Sequence, residues 1–378
     1  MTAPADHVST GRPAPVPVGG RVRLDDAVAV GMRATVDVLD RHLAAQRAGG
    51  ALVDPGYATL WAHLADQVGG KLLRPRLTLA AYLGLSGAGG AGADLAGVTY
   101  VAAAQELLHT AMVVHDDLLD HDEVRRGRPN LAGLYRADLA ADGVAGPDAD
   151  DHVLAAGLLG GDLALVAAFG LVTRAPLTAD VRVAVVDLLV HGVSTTVAGE
   201  LLDVASGLRS PAQVDTLRVA ELKTAAYTCT VPLQAGAVVA RADEHTFAEL
   251  ARFGTALGTA FQLVDDELGV FGDPARTGKS VLSDLRAGKR TELLRLSYLR
   301  ADDAGRDLLD RHVGRADLDH DAAERVRDVM ASSGARDELR AVAARAAAAA
   351  RSVAREGLPT ELADYLCALV DEMAGRWH

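Results

Sequence analysis

Cysteine is nearly absent from this sequence. Cys229 and Cys367 are the only two in 378 residues. They form no CxxC or Cys/His spacing, so nothing points to a zinc site, and two isolated thiols suit a reducing compartment. Aromatic residues are also scarce, at 4% of the chain, with alanine, leucine and valine in the apolar positions. Strands enrich for aromatic and β-branched side chains, so this shortage favours close-packed helices. There is no excess of basic charge: the formal net charge of −13 argues against a nucleic-acid binder. Local cations can still grip a phosphorylated ligand. No run of 18 residues is both apolar and free of charge, because Glu106, Asp162, Asp187 and Glu200 interrupt the most apolar regions, and no membrane span is expected. The first two dozen residues contain Pro4, Pro13, Pro15 and Pro17 and no apolar h-region. Residues 1–25 therefore read as a disordered arm and not a signal peptide, and the protein as cytoplasmic.

Apolar residues make up 49% of the chain, enough for a large core without disulfides. From Asp26 onward they recur at spacings of three and four. This periodicity predicts helices over 26–47, 57–69, 71–84, 95–120, 152–172, 178–206, 211–228, 230–241, 245–271, 291–300, 303–313, 318–333, 336–356 and 360–376. Glycine and alanine at 86–93, and glycine, proline and aspartate at 141–151, mark loops. No strand alternation persists and no linker is visible, so the expectation is one all-α domain over residues 26–378.

The run from Glu106 to Asp120 is a largely apolar helix that ends in Asp116, Asp117 and Asp120. Asp116 and Asp120 are four residues apart and share one face. Like charges at the end of a buried stripe repel unless a cation sits among them. Hard oxygen ligands suit Mg²⁺, which keeps several waters and completes its shell with substrate phosphates. A solvated helix end is the plainer alternative. A second apolar helix ending in paired acids, Asp265 and Asp266, weighs against it. Two such helices facing each other across a cavity would hold a multinuclear magnesium site.

A metal–diphosphate site also needs cations. Lys71 and Arg74 lie in Gly69-Gly-Lys-Leu-Leu-Arg-Pro75, three residues apart at a helix start. Arginine grips phosphate oxygens in bidentate fashion, whereas lysine acts as a point charge. Arg125 and Arg126 follow soon after Asp120, and Lys223, Lys279, Lys289 and Arg290 are further candidates. Read alone, GGKLLRP is an ordinary basic helix start.

The ordered series GGKLLRP at 69–75, HDDLLD at 115–120, RRGRP at 125–129, GELLD at 199–203, KT at 223–224, FQLVDD at 261–266, GKS at 278–280 and GKRT at 288–291 resembles the trans-isoprenyl diphosphate synthases, the polyprenyl synthetase family. The resemblance runs from residue 26 to 376. It implies a helical bundle of the isoprenoid synthase type, with a central cavity between the two aspartate-bearing helices, three Mg²⁺ ions per active site and a homodimer. It implies Asp116, Asp117, Asp120, Asp265 and Asp266 as metal ligands, with Asp116, Asp120 and Asp265 the principal ones. Arg125, Lys223 and Lys289 would hold an allylic diphosphate. Lys71, Arg74, His109 and Arg126 would hold isopentenyl diphosphate, and Thr224 and Gln262 would line the reacting centre. Head-to-tail prenyl transfer is the activity implied. A terpene cyclase would need no second diphosphate site, and a non-catalytic subunit would have lost an aspartate motif or the lysines.

Two positions depart from the family pattern. Gly269 stands where the second motif usually ends in aspartate, and Glu200 replaces a usual glutamine. His115 is expected to be packed or solvent-bonded, His121, Asp122 and Glu123 to form a solvated turn, and Glu267 to face water. In the family, a large aromatic side chain just upstream of the first motif acts as a floor for the growing chain. Here Ala111 is small and Met112 flexible, so the tunnel is expected to stay open past C15. Phe169 is a candidate for a deeper limit. Geranylgeranyl diphosphate, C20, is the expected product, with longer chains and farnesyl diphosphate as alternatives.

Overall fold

The computed structural model describes residues 23–87, 94–273 and 281–375. Residues 1–22, which make up most of the expected arm, and the GKS motif with Lys279 lie outside the described residues; Leu24 and Asp25 already belong to the first helix.

The chain is helical throughout, apart from one two-stranded hairpin among the described residues. The helices are α1 (Leu24–Ala51), α2 (Pro55–Gln67), α3 (Leu73–Leu85), α4 (Leu95–Leu119), α5 (Leu131–Ala141), α6 (Pro147–Arg174), α7 (Ala179–Ser206), α8 (Thr216–Val219), α9 (Val231–Val239) and α10 (Glu244–Phe271). They continue with α11 (Ser283–Ala287), α12 (Glu292–Arg300), α13 (Asp303–His312), α14 (His320–Ser332), α15 (Ala335–Gly357) and α16 (Thr360–Ala374). Part of the acidic excess goes into starting these helices. Asp54, Asp94, Asp215, Asp243, Asp302 and Asp319 each accept a backbone N–H bond at a helix N-terminus.

The expected helix over 211–228 takes another form. A 3₁₀ turn at Pro211–Gln213 precedes α8, and Ala220–Thr230 then forms a π-helix that runs on into α9. Pro232, early in α9, has no N–H for an α-type ladder and crowds the turn before it. The widened turns lie directly upstream. Glycines accommodate them: a Cβ at Gly199 of α7 would lie 2.3 Å from the Lys223 nitrogen, and one at Gly258 of α10 would lie 2.4 Å from the Ala225 Cα. The π-helix is thus pressed between α7 and α10, with Lys223 and Thr224 at its middle.

Three apolar clusters hold the bundle. One joins α1, α3, α9, α10, α15 and α16; a second joins α1, α2, α4, α6, α7 and α9; a third gathers the helices after α10. Between them lies a cavity of about 1460 Å³, reached by side chains of α4, α6, α7, the π-helix and α10. By length and composition, α6 and α7 are apolar enough to cross a membrane, which the charge-interruption argument did not anticipate. Each nevertheless buries one stripe inside the bundle, Ala156 to Val172 on α6 and Val185 to Gly199 on α7.

Candidate active site

The first acidic cluster closes α4. Asp116 lines the cavity, while Asp117, a further 100° round the helix, is only 4% exposed and does not. The Asp117 carboxylate accepts a 2.8 Å bond from Arg125 Nε. It is therefore turned inward as an anchor for Arg125, which departs from the expectation of a metal ligand. Burial pushes its pKa up, with Arg125 and Asn130 offsetting part of that rise.

Arg125 comes from the RRGRP hairpin, where Val124 pairs with Pro129 and Arg125 with Arg128. The intervening Arg126 and Gly127 both have positive φ, 54° and 72°, as a two-residue hairpin turn of type I′ requires. This turn sends the two arginines to different partners. Arg125 bonds Asp116 Oδ2 at 3.2 Å, and Arg126 donates to the Gly69 carbonyl at 3.0 Å.

Lys223 projects from the π-helix onto three carboxylates. Its Nζ lies 3.0 Å from Asp116 Oδ1, 3.0 Å from Glu200 Oε2 and 2.7 Å from Asp203 Oδ2. Burial alone would lower its pKa, but these acids hold it well above the ordinary lysine value. Lys289 makes a 2.6 Å ion pair with Asp120. Burial favours a protonated Asp116, yet Lys223, Lys289 and Arg125 outweigh it and keep this carboxyl below the usual range. At Asp120 burial wins and the pKa rises. Glu200 is likewise raised by burial, despite Lys223.

On α10, Asp265 lines the cavity. Asp266 is buried and engaged in the scaffold: it accepts from Gln262 Nε2 at 2.7 Å and from the Glu292 backbone N–H at 3.3 Å. Burial pushes its carboxyl up to about 7. Thr224 Oγ1 donates to Gln262 Oε1 at 2.6 Å, so Thr224, Gln262 and Asp266 form one chain of hydrogen bonds from the π-helix to α10.

A second basic group occupies the same cavity. Gly69 and Gly70 have φ of 135° and 89°, and a Cβ at Gly70 would lie 2.6 Å from Arg126 Nη1. This glycine pair lets the arginine close over the loop before α3. Arg74 donates to Thr228 Oγ1 at 2.7 Å and stacks over Tyr227 at 4.7 Å. His109 is held well below its ordinary pKa by burial and by the charges of Arg74, Arg126 and Arg125, so it is neutral here. Its Nδ1 is buried without a hydrogen-bond partner, as is Glu106 Oε2 nearby. Lys71, exposed, completes the rim.

The hydrophobic arm of the cavity is lined by Met112 and Val113 of α4, Leu165 of α6, and Val193 and Val197 of α7. Ala111 is 0% exposed in the second core cluster and does not line the cavity. It is five residues before Asp116, about 140° away from that face, whereas Met112 at four residues lies on it. Phe169 packs against the same cluster and is also off the cavity wall. His115 packs on α6, where a Cβ at Gly161 would lie 2.1 Å from its Nε2. Glu267 is 2% exposed rather than solvated, bound by Arg336 at 2.7 Å and Arg340 at 2.6 Å. Tyr227, Asp203, Glu292 and Arg336 were not picked out as site residues from sequence; Tyr227, four residues after Lys223, could have been found from its spacing.

Comparison with known proteins finds one family. Residues 58–330 match the polyprenyl synthetase family. The chain is 37% identical over 227 residues to a geranylgeranyl diphosphate synthase of Mycobacterium tuberculosis, a match covering 59% of this chain but 57% of that relative's length. It is 32% identical over 318 residues to a (2E,6E)-farnesyl diphosphate synthase of Mycobacterium bovis, covering 81% of this chain and 80% of the relative. The crystal structure of a Corynebacterium glutamicum geranylgeranyl pyrophosphate synthase, complexed with isoprenyl diphosphate and magnesium, superposes with a TM-score of 0.86 at 30% identity, over 94% of this chain and 100% of that one.

Proposed function

Because the chain belongs to the polyprenyl synthetase family, we propose that it is a Mg²⁺-dependent prenyltransferase that condenses isopentenyl diphosphate with an allylic diphosphate. The observation that carries this reading is that both acidic helix ends and a separate basic group open into one cavity. A single diphosphate would need only one such basic group.

The donor set fits magnesium. Asp116 lines the cavity at the end of α4, Asp120 one turn on lies off its wall but pairs with the cavity-lining Lys289, and Asp265 reaches the same cavity from α10. Mg²⁺ takes one or two protein carboxylates and fills its shell with waters and phosphate oxygens, so few acids are needed to seat each ion. Bound Mg²⁺ would supply positive charge against the leaving diphosphate. Arg125, Lys223 and Lys289, paired with acids in this structure, turn to the allylic diphosphate oxygens. Arg74, Arg126 and Lys71 bind the diphosphate of isopentenyl diphosphate, with neutral His109 as a hydrogen-bonding neighbour. The aliphatic walls at Met112, Val113, Leu165 and Val193 keep water from the allylic cation. The departing diphosphate takes the final proton.

The favoured product is geranylgeranyl diphosphate, because among the described residues no Phe, Tyr or Trp of α4, α6 or α7 lines the cavity. Purified protein, incubated with Mg²⁺, isopentenyl diphosphate and C5, C10 or C15 primers, should accumulate C20 diphosphate by mass spectrometry. A cyclised hydrocarbon formed from the allylic diphosphate alone would overturn the reading.

A further inference from the structure

Glu292 is a buried acid at the edge of the site that neither aspartate cluster accounts for. It opens α12, three residues after Lys289, and its side chain is 2% exposed. Arg295 grips the carboxylate twice, Nε on Oε2 at 2.6 Å and Nη2 on Oε1 at 2.8 Å. The buried Thr216 hydroxyl, at the start of α8, donates to the same carboxylate. Packing alone does not call for this arrangement, because an apolar side chain of similar volume fills a buried site at no greater cost.

What the carboxylate does is close a ring of hydrogen bonds. The Glu292 N–H donates to Asp266 Oδ2, and Asp266 leads through Gln262 to Thr224 in the middle of the π-helix. The Glu292 side chain returns to the same stretch of chain at Thr216. One residue therefore ties the segment 216–224 at both ends, directly at Thr216 and through α10 at Thr224. Lys223 lies inside that segment, and Thr216, Lys223, Thr224, Lys289 and Glu292 all line the cavity. A π-helix is uncommon beyond a single turn, so a run of 11 such residues needs support from outside itself. Its far end is held separately, by the Arg74 bond to Thr228.

We propose that Glu292 is a positioning residue: with Thr216 it fixes the reach of Lys223 and its spacing from Lys289 over the allylic diphosphate. The inference rests on the prenyltransferase reading and adds to it a residue that touches neither substrate. The clamp holds the Lys223 end of the π-helix, whereas the basic group for isopentenyl diphosphate meets that helix at Thr228. It therefore acts on the allylic substrate alone.

The test is steady-state kinetics with each substrate varied in turn, beside thermal unfolding. Wild-type protein should condense the two diphosphates; if it does not, the prenyltransferase reading itself fails. Thr216→Val, nearly the same shape without the hydroxyl, should raise the KM for the allylic diphosphate by about 3–10-fold. Its KM for isopentenyl diphosphate should stay at the wild-type value. Thr216→Ser keeps the hydroxyl and should keep wild-type constants. Glu292→Gln, again of the same shape, should move the allylic KM in the same direction, and it carries the test if Thr216→Val does not fold. A loss of packing alone would lower the unfolding midpoint without separating the two KM values. A wild-type allylic KM in Thr216→Val would overturn the proposal. So would a rise of both KM values alike, or a Thr216→Ser variant no better than Thr216→Val.

Discussion

Lys223 carries more of the resting site than any other single side chain. It sits among Asp116, Glu200 and Asp203, each within 3.0 Å, and its side chain is 21% exposed. Removing it leaves three acids facing one another with no shared cation. Lys223→Ala should therefore cost roughly 1–3 kcal/mol of stability in chelator, read as a lower unfolding midpoint, and Mg²⁺ should recover part of that loss. Asp116→Asn behaves differently. Lys223 keeps Glu200 and Asp203, and Arg125 keeps Asp117, so the metal-free fold should unfold near wild type while turnover falls by orders of magnitude. Equal unfolding midpoints for both variants would show that the lysine does not hold the cluster together. The acids and cations of these motifs were legible in sequence because each motif is contiguous. Asp203 was visible within GELLD, but not as a partner of Lys223, since the two are 20 positions apart and Lys223 sits in a π-helix. The contact of Asp284 with Gly269 was illegible for a stronger reason: it exists only because α11 folds back over a glycine.

At the scale of elements, amphipathic periodicity located the long helices and failed where burial is slight or the helix is not α. The α5 helix buries only Leu131 and Ala132, so no apolar stripe marked it. The π-helix was expected as an ordinary helix because its turns differ from α turns by a fraction of a residue. The same limit applies to the tunnel. Sequence distance from Asp116 puts Ala111 and Met112 side by side, whereas the helix turns one into the core and the other towards the cavity. Met112→Phe should consequently narrow the aliphatic arm and shift the product from C20 towards C15, with turnover retained. Ala111→Phe should overpack a site that has no free space, lowering stability by about 1–3 kcal/mol. Product analysis beside thermal unfolding separates the two. A shift to C15 in Ala111→Phe without loss of stability would place the floor where sequence reasoning first put it.

At the scale of the whole molecule, α6 and α7 each carry exposed apolar side chains. Val183, Val190, Val197 and Val204 recur every seven residues along α7, and they are 59%, 50%, 57% and 56% exposed. Seven residues are nearly two turns, so the four form one stripe about 32 Å long at 1.5 Å per residue. Leu154, Leu159 and Val166 of α6 are exposed as well, at 54%, 55% and 68%. A lipid-facing helix would be apolar all round, whereas α7 sends Glu200 and Asp203 to Lys223 and buries Val185 and Leu189 against its neighbours. A second copy of the chain is the partner to test, as the family resemblance implies. Val197 and Val204 belong to this stripe and also line the cavity. A second copy seated there would therefore finish one wall of the tunnel, and assembly and catalysis would be coupled. Light scattering coupled to gel filtration should report a dimer for wild type. Val166→Glu combined with Val190→Glu places one charge on the exposed face of each helix, both off the cavity wall, and should give a monomer with reduced turnover. A wild-type monomer with full activity, or a double variant that stays dimeric, would show that these faces meet something else.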